Sequence, residues 1–322
     1  MTVRLLPALW LLAACLPAAQ NPPAPANSLP AGAELRNLPA PASPLPAGAE
    51  LRTPPAPASP LPTAAELREI LKNSVEEGNL NFAPPQDYVY IEDRESRLFD
   101  SKGKPTPATT ETYEGMALYG QRYERLIRKD GKPLASKQER AEQDKLDKEA
   151  AKRKQEPAAA KARRLEAERQ RRLACRAEFV DGFHFSLLGA ETVGGRPAWK
   201  MDASPIPGGG QNCAAMKRIK SFHLTIWIDQ ADAKWSRLEA HNVASVALGA
   251  MVVRFPAGSF HVSIEPARRD DGAWLPDRVR IRMNMRFMLL VTLRLETVST
   301  YSKYRKFQTE SRIVEEPPAG GL

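Results

Sequence analysis

From Arg278 to Phe287 the chain alternates: Val279, Ile281, Met283, Met285 and Phe287 take one side, and Arg278, Arg280, Arg282 and Arg286 the other. Residues two apart share a face only in an extended strand, so this segment belongs to a sheet with one greasy side and one wet side. Antiparallel sheets allow that asymmetry, whereas parallel sheets bury both faces. Continuing to Tyr301, the pattern is too long for one strand and demands a turn or bend, placed near Asn284.

Strand signals recur at Asp87 to Glu92, Thr112 to Ile127, Phe183 to Leu188, Arg196 to Met201, His223 to Asp229, Trp235 to His241 and Ser259 to Glu265. Turn residues separate them at Ser101 to Lys104, Arg128 to Lys132, Gly194-Gly195, Gln230 to Ala233 and Asp270 to Gly272. Before the strands, Thr63 is placed to cap a helix with Glu66 closing a capping box, and Leu67, Ile70, Leu71 and Val75 fall on one face. The expected fold class is therefore α+β: a curved antiparallel sheet, or half-open β-barrel, whose apolar face is covered by the Thr63 helix.

Three segments lie outside that pattern. Residues 1–19 read as a signal peptide, with Arg4 as the positive end, a short apolar run, and Leu12-Ala13-Ala14-Cys15 in the form of a lipobox. Acylation of Cys15 would anchor the chain to a membrane; ordinary cleavage near Pro17-Ala18-Ala19 would discard it. Residues 20–62 are rich in Pro and Ala, and Leu29-Pro-Ala-Gly-Ala-Glu-Leu-Arg36 recurs at Leu45 to Arg52 and, with changes, at Leu61 to Arg68. Such copies have too little apolar surface to pack on one another, so a disordered, semi-rigid stalk is expected. Residues 136–177 form a charged insertion with hardly any apolar stripe, broken at Pro157, expected as a protruding helix pair or a partly disordered loop. The β domain spans 63–314 around this insertion, and 315–322 form a disordered tail.

A formal charge of +9 raises the question of nucleic acid. Much of the excess lies between Lys137 and Arg172, interleaved with acids and remote from the aromatics that stack bases, so nucleic acid is not an expected partner. No nucleophile elbow, phosphate loop, dinucleotide fingerprint or zinc helix occurs, and neither an enzyme nor a cofactor is expected. His184, His223, His241 and His261 fall in separate strands without short ligand spacing, so no metal site is expected. Asp229 and Asp232 suit turn formation better than catalysis. Cys175 and Cys213 either pair or remain as two thiols. The arginines of 278–286 face water or an anionic partner. On the apolar side Trp227, Trp235, Trp274, Val279, Ile281, Met283, Met285 and Phe287 are the candidate lining of a cavity, or else an ordinary packed core.

Taken together, Tyr123-Glu-Arg-Leu-Ile127 with Asp130-Gly-Lys-Pro-Leu134, Phe185-Ser-Leu-Leu-Gly189 with Gly195-Arg-Pro197, Ile226-Trp-Ile-Asp229, Trp274-Leu-Pro276 and Tyr304-Arg-Lys-Phe307 resemble LolA-like outer-membrane lipoprotein-sorting proteins. The resemblance spans roughly Ala64 to Arg312 and takes in LolB-like receptors and RseB-like regulators. It implies an incomplete antiparallel barrel lidded by helices, whose cavity takes acyl chains. The expected function is thus a periplasmic or membrane-tethered protein binding lipid acyl chains or lipoproteins, with the outer membrane as the favoured site. An envelope regulator that grips a protein partner through its charged helices is the alternative. The proline stalk and the basic insertion depart from the family pattern.

Overall fold

The computed structural model describes residues 61–76, 84–100, 102–207, 219–248, 253–287 and 291–306. The segments expected as signal peptide and tail, most of the expected stalk, and Cys213 lie outside them. Helix α1 (Ala64–Glu76) opens the ordered chain. Its start follows the capping box: Glu66 Oε2 accepts from the Thr63 backbone N–H at 2.7 Å, and the Glu66 N–H donates to Thr63 Oγ1 at 3.3 Å.

The strands are β1 (Tyr88–Phe99), β2 (Thr109–Leu118), β3 (Gln121–Lys129), β4 (Lys132–Pro133), β5 (Phe183–Val193), β6 (Arg196–Pro205), β7 (Phe222–Asp229), β8 (Trp235–Asn242), β9 (Val246–Leu248), β10 (Val253–Phe255), β11 (Phe260–Arg268), β12 (Trp274–Phe287) and β13 (Val291–Lys306). They make one sheet in the order β4-β3-β2-β1-β13-β12-β11-β8-β7-β6-β5, with β9 and β10 attached to the end of β12. Every pairing is antiparallel, and the sheet is open, with β4 and β5 at its edges. Between β4 and β5 stand α2 (Ser136–Lys154) and α3 (Ala158–Gly182), divided at Pro157.

One apolar cluster joins Leu67, Leu71 and Val75 of α1 to Met201 of β6, Ile226 of β7 and Met285 of β12. Residues this far apart in the strand order meet only if the sheet curves, so the cluster marks its concave face. The end of α3 closes the same side, where the Phe179 ring lies 5.5 Å from that of Trp235. The insertion is therefore a helix pair whose second member runs into the core.

Two local expectations are corrected. Thr112 to Ile127 is a hairpin rather than one strand; it turns at Tyr119 and Gly120, both at positive φ, and Tyr119 is not a residue whose type announces a turn. The long run after Arg278 does not bend at Asn284, which stays in register with Arg294 while β12 and β13 pair along their length. Cross-strand pairing on both sides holds Asn284 extended.

Candidate functional site

Strand parity decides what the concave face offers. Val279, Ile281, Met283 and Met285 all point into it, Met283 and Met285 buried in the cluster and Val279 and Ile281 packed at its margin. Phe287 keeps the same parity at the strand end and is half-buried. Trp235 also belongs to the cluster: its indole N–H donates to Ser74 Oγ of α1 at 2.9 Å, and that hydroxyl donates to the Leu71 carbonyl at 2.7 Å. An indole placed in an apolar core needs such an acceptor, and α1 supplies it.

Two expected lining residues do not line this face. Trp227 sits between Ile226 and Ile228, which both point into the cluster, so the period of two sends its ring to the convex side. There it lies between Lys200, 5.2 Å from the ring centroid, and Arg237 at 4.9 Å, and its N–H donates to Glu191 at 2.8 Å. Trp274 stands at the end of β12, where its N–H donates to Asp232 at 3.0 Å. Asp229 and Asp232 form the turn expected of them: Asp229 Oδ1 accepts from the N–H groups of Ala231 at 3.0 Å and Asp232 at 2.8 Å. Arg196 also clasps Asp229 through two bonds of 2.6 and 2.8 Å, and despite burial these bonds hold the Asp229 carboxyl below its ordinary range.

Along the concave face the chemistry changes from strand to strand. Over β6, β7, β8 and β11 the apolar surface is sealed by α1 and the end of α3. At β12 and β13, Val279, Ile281, Leu293 and Leu295 remain only half-buried, leaving an aliphatic wall that solvent reaches. Further along β13 the same face carries Thr297, Ser299 and Tyr301, which register with Ser96, Arg94 and Glu92 of β1. Beyond them lie Tyr113 of β2 and Glu124 of β3. The concave face thus runs from oil to charge.

The polar end is built around one ion pair. Arg94 holds Glu92 through Nε at 3.0 Å and its terminal nitrogen at 2.9 Å, and reaches Glu124 at 3.7 Å. Ser299 donates to Glu92 at 2.6 Å, Tyr90 donates to Glu124 at 3.1 Å, and the guanidinium lies 4.4 Å over the Tyr113 ring. The Glu92 side chain is 2% exposed, whereas that of Arg94 is 29% exposed, so the guanidinium forms the solvent-facing floor of a recess. Burial, then the neighbouring Glu92, pushes the Glu124 carboxyl above its ordinary range against the pull of Arg94. Burial and both carboxylates likewise raise the Tyr301 hydroxyl, which stays protonated. The Tyr90 ring lies on Gly115, where any Cβ would run into it.

Arg153 of α2 donates to the carbonyls of Leu118, Gln121 and Arg122, fastening the helix pair to the β2–β3 hairpin. Cys175 is disulfide-bonded. Among the described residues no three His, Cys, Asp or Glu side chains gather as metal ligands do, and no helix is long and apolar enough to cross a membrane. The sequence left two features unread: the Glu92–Arg94–Glu124 center, whose residues look like ordinary polar strand positions, and the alignment of all four histidines on the convex face, described below.

No family profile matches the chain, and no curated protein does. Solved structures do. An outer membrane lipoprotein-sorting protein domain from Vibrio parahaemolyticus matches at 12% identity and a TM-score of 0.29, over 76% of this chain and 92% of its own. A LolA superfamily protein from Nitrosomonas europaea matches at 12% identity and 0.30, over 75% and 93%. MucB of Pseudomonas aeruginosa, solved with MucA, gives 12% and 0.22, over 76% and 99% of the chains. At scores this low the superpositions define no residue correspondences.

Proposed function

We propose that this chain is a cell-envelope binding protein whose concave sheet face receives the acyl chains of a lipid or lipoprotein, without covalent chemistry. The observation that carries the reading is the half-buried aliphatic wall of Val279, Ile281, Leu293 and Leu295, which α1 leaves uncovered. Exposed aliphatic surface on a concave face is costly unless something apolar covers it. The wall leads directly into a recess of tyrosine, guanidinium and carboxylate, an order of environments that matches a molecule with an oily tail and a polar head. Acylation of Cys15 and the proline-rich segment would hold this domain near a membrane, the outer membrane being favoured, and Cys213 is the natural partner for the Cys175 disulfide.

Native mass spectrometry of the purified full chain, with titration of a fluorescent fatty-acyl probe, tests the reading. Bound amphiphile and saturable uptake, weakened about tenfold or more by Ile281→Glu with Leu295→Glu, are the expected results, since each substitution sets a charge against the wall. Absence of both bound lipid and uptake would sink it. Acyl labelling with and without Cys15→Ala tests the anchor separately.

A second reading, partner capture by the insertion, is favoured by Leu165 and Leu173 of α3, which lie along one side of the helix and are 41% and 46% exposed. Replacing 137–173 by a short linker, which removes both leucines and spares Cys175 and Phe179, would abolish partner capture under that reading and leave acyl uptake intact under the first.

A further inference from the structure

All four histidines of the chain occupy one cross-strand row on the convex face. His184 of β5 registers with Ser204 of β6; His223 of β7 with His241 of β8; His241 with His261 of β11; His261 with Arg282 of β12; Arg282 with Glu296 of β13; and Glu296 with Arg97 of β1. The rings of His223 and His241 are 5.1 Å apart, and those of His241 and His261 are 5.9 Å apart.

The next positions toward the β10 end are more basic. Arg254 of β10 stands directly opposite Arg286 of β12, and Arg294 of β13 opposite Asn284; all three arginines are exposed, and none forms an ion pair among the described residues. Like charges set face to face destabilise a sheet, so the arrangement points to an anion that the fold does not supply. Three acids near the row are engaged: Glu296 lies 3.8 Å from both Arg280 and Arg282, Asp202 holds His223 at 2.7 Å, and Glu239 pairs with Arg237, while Glu265 of β11 stands opposite Arg278, at the other end of the strand from Arg254 and Arg286.

We infer that the convex face docks on an anionic phospholipid surface through Arg254, Arg282, Arg286 and Arg294, and that the histidine row strengthens this docking as pH falls. The charge is spread over several strands and offers phosphates a broad target. A protein partner would instead call for aromatic or aliphatic anchors at the center of the face; among the described residues the large ring there, Trp227, is 3% exposed beneath Lys200 and Arg237. His241 is held below the ordinary histidine range by burial, then by His223 and His261, while Asp202 acts in the opposite direction. Glu239 with Arg237 on β8 and Ser263 on β11 complete its surroundings. Each proton taken up by the row adds positive charge beside Arg282, and an anionic surface favours that uptake. This inference is independent of what the concave face holds.

The test is flotation of the full chain carrying Cys15→Ala, which removes any acyl contribution, with vesicles of phosphatidylglycerol or of phosphatidylcholine. Binding should be confined to phosphatidylglycerol, fall steeply with added salt, and tighten roughly tenfold between about pH 7.5 and about pH 5.5. Arg254→Glu with Arg286→Glu should abolish binding at both pH values, since losing one basic contact weakens binding roughly fivefold and reversal weakens it further. His241→Gln with His261→Gln should bind like the parent at about pH 7.5 and lose the acid gain. Far-ultraviolet circular dichroism of each variant verifies folding. Equal binding to neutral vesicles, indifference to charge reversal, or an acid gain that survives the histidine substitutions would each overturn the inference. So would equally tight binding of soluble polyglutamate, which would identify an acidic polypeptide as the partner.

Discussion

Replacing Arg94 by Met keeps the unbranched apolar stem of the side chain and removes its charge. Glu92, 2% exposed in the parent, then loses two bonds of 3.0 and 2.9 Å and keeps the 2.6 Å bond from Ser299. Breaking a buried pair by removing one partner costs about 3–5 kcal/mol, because the charge left behind is not resolvated. Solvent already touches Arg94, so the lower figure applies. For a domain of this size about 3 kcal/mol corresponds to a midpoint drop of about 6–12 °C. The deficit should also depend on pH. Glu124 is already raised by burial and by Glu92, and loses the opposing pull of Arg94 in the variant. The native state then binds more protons than the unfolded state, so the variant's stability falls as pH rises through the carboxylate range. Urea unfolding at about pH 7.5 and about pH 4.5 should give a large deficit at the first and a smaller one at the second, with m unchanged. Adding Glu92→Gln to Arg94→Met should recover much of the loss, since removing both charges is far milder than removing one. A deficit below about 1 kcal/mol, or one indifferent to pH, would refute the buried-pair account.

Ser74→Ala strands the Trp235 indole N–H in the core and should lower the unfolding free energy read from urea titration by about 1–3 kcal/mol, a loss that should nearly vanish when Ser74→Ala is measured in a Trp235→Phe background. Gly115→Ala forces the Tyr90 ring off β2 and should destabilise by about 1–3 kcal/mol, whereas the same change made in a Tyr90→Leu background should cost little further. Asp229→Ala removes both the Arg196 clasp and the turn bonds and should cost about 2–3 kcal/mol at neutral pH. Because the Asp229 carboxyl is depressed, its contribution is present above the unfolded carboxylate range and lost as pH falls through the folded one, so parent and variant should converge in acid.

The strand at 274–287 was legible because a half-buried antiparallel strand writes its two faces into alternate letters, and the Thr63 capping box was legible because it is local. Parity also corrects Trp227: flanked by Ile226 and Ile228, it was bound to face away from the cluster, and counting aromatics by type obscured that. The polar recess was out of reach for a different reason. Glu92 and Arg94 in β1 look like solvent-facing positions, and only register against Ser299 and Tyr301, far along the chain, turns that side inward. The histidine row is likewise created by pairing alone, since its members share no local spacing.

Helix α1 is both the first described element and the seal over the apolar end of the concave face. Its hold rests mainly on Leu67, Leu71 and Val75, each contributing about 1.5–3 kcal/mol, with the Ser74–Trp235 bond as a latch. Any tension delivered from the segment before Leu61 therefore acts on this seal before it reaches the sheet, and acts at one end, where a helix peels turn by turn instead of shearing off whole. If the N-terminus is anchored as proposed, drawing the domain away from its anchor would uncover Trp235 and its neighbours, making the hydrophobic trough responsive to the distance between the domain and its tether point.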